Sequence, residues 1–71
     1  MSEELELEKS YSAKQSAAKL RRLADSLESG EDFHIQVDGK KITVPASATV
    51  AIEYEAGDGE EELEFEIKWK S

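Results

Sequence analysis

Side chains suited to chemistry are few in this sequence, and they stand apart from one another. His34 is the single histidine, and an imidazole serves as general acid, general base or metal ligand. It alternates with Phe33 and Ile35, which sets it on an outward face shared with glutamates, and no second ligand follows at a fixed spacing. Such a histidine is ordinarily a surface residue. The glutamates Glu6, Glu53, Glu55, Glu62, Glu64 and Glu66 offer oxygen ligands for a hard cation. Same-face residues on one strand lie about 7 Å apart and diverge, so they share an ion only if a neighbouring strand contributes. The expectation is therefore a solvated acidic face, with no metal and no cofactor. Lys14, Lys19, Arg21 and Arg22 make a basic cluster in an acidic chain, which suits an acidic partner or an anion. Trp69 shares phase with Leu63, Phe65 and Ile67, which favours core over a partner-anchoring role. Gly57-Asp58-Gly59 lacks the spacing and following helix of a phosphate loop and reads as a turn. No serine or lysine is paired with a base at a readable spacing, so no catalytic residues are expected and the chain reads as a non-enzyme.

What must position these residues is set by composition. Seventy-one residues without cysteine form one small domain spanning 1–71, with residues 1–4 at a fraying end. Disulfides and thiolate sites are excluded. Ordering the chain costs roughly 1.5 kcal/mol per residue, so nearly every large apolar side chain is needed for packing. Nine basic residues against 17 acidic ones leave a net charge of -8, which repels phosphate backbones and anionic lipid. Neither nucleic acid nor membrane is an expected partner. No apolar run suits a signal peptide or a membrane span, and the expected location is cytoplasmic.

Periodicity supplies the elements. Leu63, Phe65, Ile67 and Trp69 alternate with Glu64, Glu66, Lys68 and Lys70, the pattern of a strand with one buried face. Met1 to Ser10 alternates likewise around Leu5 and Leu7 and reads as a first strand. From Ser12 the period changes: Ser12-Ala13-Lys14-Gln15 is a capping box, and Ala13, Ala17, Leu20, Ala24 and Leu27 form one helical stripe ending before Gly30. Phe33 to Val37 and Ile42 to Val44 flank Asp38-Gly39, a tight hairpin signal. Pro45 ends the second arm, Val50 to Tyr54 gives a further strand, and Ala56 to Gly59 turns back into the last. The expected fold is α+β, in the order β-α-β-β-β-β. One helix lies on one face of a mostly antiparallel sheet of four or five strands.

The ending Leu63-Glu64-Phe65-Glu66-Ile67-Lys68-Trp69, preceded by Val44-Pro45 and the strand Glu53-Tyr54-Glu55, resembles the Amphi-Trp domain. The likeness spans most of the chain, including the serine-capped basic helix. It implies a small domain of bacteria and archaea without an established molecular function, and the tryptophan of the name falls on Trp69. It carries over no catalytic or ligand residues.

The function expected is that of a non-catalytic accessory or protein-interaction module, with an acidic sheet face and a basic helix face. The alternative is a small-ligand or anion-binding domain using the helix. The candidate interaction surface is Lys14, Lys19, Arg21, Arg22 and Trp69, with an unknown protein partner and a monomeric chain expected.

Overall fold

The computed structural model describes residues 4–71, in which one helix precedes two separate β-hairpins. Helix α1 spans Ala13–Ser29. Strands β1 (Phe33–Val37) and β2 (Lys40–Val44) form the first hairpin, and β3 (Thr49–Gly57) and β4 (Glu60–Lys68) the second. Among the described residues, no helix is long and apolar enough to cross a membrane.

Local signals in the sequence act as expected. The Ser12 hydroxyl accepts from the Gln15 amide and the Gln15 side chain accepts from the Ser12 amide, so the helix start is closed reciprocally. Gly30 ends the helix in the left-handed conformation, φ 69°, with its amide donating to the Ser26 carbonyl. Replacing Ser12 with Ala removes one arm of the box and is expected to cost about 1 kcal/mol of helix stability, measurable as a lowered circular-dichroism melting temperature. Both hairpins turn on Asp-Gly pairs with positive φ, Asp38-Gly39 and Asp58-Gly59, whose twist matches that of the flanking strands.

The α+β class holds, but the sheet is divided. β1 pairs only with β2, and β3 only with β4, both antiparallel. Pro45 has no amide for a ladder, the Ala48 amide donates to the Pro45 carbonyl, and the Ala46 amide donates to the Asp32 carboxylate at 2.9 Å. The joint from Pro45 to Ala48 thereby turns the chain away from the first hairpin, and β3–β4 stands out as an arm. Among the described residues, the expected first strand is not seen: residues 4–12 join no ladder, and Leu5 is exposed. Its opening residues, 1–3, and most of the expected fraying end lie outside the described residues.

The expected burial is corrected as well. Among the described residues, only Phe33 (6% exposed) and Val44 (7%) are buried, and they are direct cross-strand partners. α1 touches the sheet through β1 alone, and β3 and β4 approach no other element. The helix is seated by Arg22, whose guanidinium lies 5.3 Å from the Phe33 ring centre and donates to the His34 carbonyl. That contact turns the side bearing Ser16, Lys19, Leu23 and Ser26 inward, where all four are half-buried. At 100° per residue, the stripe of Leu20, Ala24 and Leu27 then lies about a quarter turn away, and Leu20 remains 52% exposed. The arm is uncovered for the same reason. Trp69, just past the end of β4, is 40% exposed rather than core, and Leu63 and Phe65 are exposed with it.

Candidate functional site

Three surfaces concentrate chemistry, and each is built by the pairing of elements. The first is the arm's apolar face. Its register places Val50 opposite Ile67, Ile52 opposite Phe65 and Tyr54 opposite Leu63, so alternation gathers six large apolar side chains on one side of a two-stranded ribbon. Ile52 and Leu63 are 65% and 63% exposed. The Thr49 hydroxyl donates to the Lys68 carbonyl at the arm's base, and the Tyr54 hydroxyl donates to the Glu61 carboxylate at 2.7 Å near its tip. This last bond, with a smaller contribution from desolvation, holds the Tyr54 phenol above its ordinary pKa, because the neutral phenol is the donor.

The arm's other side is acidic. Glu53 faces Glu64 and Glu55 faces Glu62, and this supplies the neighbouring-strand carboxylates that a single strand could not. Oxygens of Glu53, Glu64 and Glu66, and of Glu55, Glu62 and Glu64, lie within 4.8 Å of one another in two sets. The consequence is that Glu64 holds its proton more readily than an isolated carboxyl. A hydrogen bond with Glu62 raises the Glu64 pKa, with further contributions from the Glu62 charge, desolvation, Glu53 and Glu66. Lys68 relieves the crowding only at one end, 3.6 Å from Glu66.

A carboxyl whose pKa is raised by folding binds protons more readily folded than unfolded. Its contribution to stability is complete below the unfolded value and is lost as pH rises through the folded one. The arm should therefore melt at a lower temperature at neutral pH than just above the ordinary carboxylate range. Glu64→Gln should raise the neutral-pH melting temperature by a few degrees and flatten that dependence, as followed by melts of the β3–β4 amide signals in NMR.

The third surface is an open cleft of about 520 Å³ between α1 and the first hairpin, lined by Lys19, Arg22, His34, Gln36, Lys41 and Thr43 together with Ile35 and Ile42. His34 is thus surrounded by basic residues, not by the glutamates its phase implied. Its Nδ1 lies 3.0 Å from the Thr43 hydroxyl, its direct cross-strand partner. Lys41 was not expected here. The signal for it was its place two residues past the Asp38-Gly39 turn, which pairs it with Gln36 beside His34.

Of the five candidate residues, only Lys19 and Arg22 line the cleft. Lys14 and Arg21 are exposed on the other flank of the Leu20–Leu27 stripe, and Trp69 belongs to the arm. These two cations have partners within the fold: Lys19 stands 4.5 Å from the Tyr11 ring centre, and Arg22 is held by Phe33 and the His34 carbonyl.

The family model described as the Amphi-Trp domain matches residues 1–71, the whole chain. No curated protein and no solved structure matches.

Proposed function

We propose that this chain, which belongs to the Amphi-Trp domain family over its full length, is a non-catalytic interaction module whose binding surface is the apolar side of the β3–β4 arm. The observation that carries this reading is the exposure of Ile52, Tyr54, Leu63 and Phe65 together on one face of the ribbon. A two-stranded hairpin is at best marginally stable alone in water, and a contiguous apolar face is the ordinary mark of a surface that a partner covers. The acidic back keeps the uncovered ribbon soluble and discourages indiscriminate edge pairing. Charge then supplies orientation: the acidic arm and the basic helix would steer a partner of complementary charge, a contribution that weakens with salt.

The test is affinity capture with a tagged copy at low and high salt, comparing the parent protein with Ile52→Glu. The parent should retain a defined partner that the variant loses, with retention at high salt reduced but not abolished. Identical capture by both proteins would remove the arm from consideration.

A second reading, an anion-binding domain, is favoured by the convergence of Lys19, Arg22, His34 and Lys41 in a chain of net charge -8. It is the weaker of the two because Lys19 and Arg22 are already engaged. Inorganic phosphate that moved the NMR signals of Lys19 to Arg22 and His34, and left the arm unmoved, would favour it.

A further inference from the structure

Among the described residues, two apolar surfaces lack covers, and they do not touch each other. One is the arm face; the other is the α1 stripe around Leu20 and Leu27. We propose that the arm's partner is a second copy of the chain, in a two-fold dimer where the β3–β4 arm of each copy lies across the α1 stripe of the other. This rests on the arm being an interaction surface and adds the identity of its occupant.

Three observations select this occupant. First, the areas fit. A large apolar side chain presents on the order of 200 Å² when free. At their observed exposures, the arm residues Val50, Ile52, Tyr54, Leu63, Phe65 and Trp69 with Leu20 and Leu27 offer roughly 800 Å², close to what each partner contributes to a standard interface.

Second, the charges fit. From Thr49 to Lys68 the arm carries seven glutamates and one aspartate against one lysine, whereas α1 carries four basic residues against two acidic ones. Lys14 and Arg21 flank the stripe on one side and Lys19 on the other, while Arg22 lies on the far side of the helix against Phe33. An arm laid over the stripe by its apolar face brings a ribbon of net negative charge close to a net basic helix, with the glutamates on its outer side. Two arms packed face to face would instead bring together two ribbons of like charge and leave Leu20 and Leu27 in water.

Third, two-fold symmetry closes the contact that a head-to-tail arrangement would leave open. Each copy offers one arm and one stripe, so reciprocal docking satisfies both surfaces in a dimer without propagating into a chain of copies.

Sedimentation equilibrium across the micromolar range, with Trp69 emission read in parallel, tests the proposal. The parent should reach twice the chain mass of 7.9 kDa, with a blue shift of Trp69 as it associates. Phe65→Glu in the arm and Leu20→Glu in the stripe should each weaken association by more than about tenfold. Circular dichroism of the Leu20→Glu protein, altered on an exposed helix face, should retain the parent's helix signal, so that loss of the dimer is not loss of the fold.

Mixing the two variants gives the deciding result. The mixed pair keeps one intact arm-on-helix contact and should associate more tightly than either variant alone. No gain on mixing would overturn the arm-on-helix arrangement. A parent that stays monomeric with water-exposed Trp69 emission, yet captures another protein only when Phe65 is present, overturns the dimer and leaves the interaction module standing. A monomeric parent with the emission of a buried indole means that the arm is covered within its own chain, and both readings fall.

Discussion

Replacing Phe33 with Ala should unfold the helix–hairpin unit at room temperature. Truncating a buried phenylalanine removes its transfer free energy and leaves a cavity, together about 3 kcal/mol or more, against a total stability on the order of 0.1 kcal/mol per residue in small domains. Here there is little to compensate. Phe33 and its partner Val44 are the only buried large residues among those described, and the Phe33 ring is also the platform on which Arg22 rests. Circular dichroism and urea titration should show loss of the α1 signal and of a cooperative transition. Phe33→Leu, which refills most of the volume, should retain both with a lowered midpoint. A truncated protein with the parent's melting curve would mean that the fold is held by contacts other than this pair.

Replacing Arg22 with Ala should loosen the helix from the first hairpin and destabilise the two together. The guanidinium joins α1 to β1 twice over, by donation to the His34 carbonyl and by its place over the Phe33 ring. A charged donor to a carbonyl and a cation over an aromatic face are together expected to contribute about 2 kcal/mol at a partly solvated site. Arg22→Lys should recover only part of this, because an ammonium lacks the planar fork that serves both contacts at once. Chemical shifts of β1 and β2 should remain dispersed in the lysine variant and lose dispersion in the alanine one. Nuclear Overhauser contacts between α1 and β1 should fade in the alanine variant and persist weakly in the lysine one.

These two residues also mark where the sequence was legible. The helix bounds, both Asp-Gly turns, the break at Pro45 and the alternating faces of β3 and β4 follow from signals that act within a few residues: a capping box, positive φ, a missing amide, period two. Faces were legible, but what lies against them was not. The stripe through Leu20 and Leu27 is the most apolar side of α1, and periodicity alone predicts it inward. Its rotation is decided by one long-range contact, Arg22 with Phe33 and the His34 carbonyl, across 11 and 12 residues of chain. Arg22 reads in sequence as a solvated charge, and nothing local distinguishes it from Arg21. The division of the sheet was hidden for a related reason. Four alternating runs imply one sheet only if each finds the next, and the hydrogen bond from Ala46 to Asp32 turns the chain before β3 can reach β2. His34 was misplaced among glutamates because alternation assigns a face and says nothing of which cross-strand residues share it. The basic cluster divided for the same geometric reason, since its four cations spread over nearly half of the helix circumference and only Lys19 and Arg22 fall at the end of that arc that meets the first hairpin.

The joint from Pro45 to Ala48 has a bearing on cooperativity. With no ladder running across it, opening of the β3–β4 amides need not wait for opening of β1–β2, so the chain in isolation consists of two exchange units. Deuterium should enter the amides between Val50 and Ile67 at one rate and those of Ile35 and Ile42 at a slower one, with a step at the joint. Once another molecule lies across the arm, the two rates should converge, and all-or-none melting becomes a property of the assembly instead of the single polypeptide.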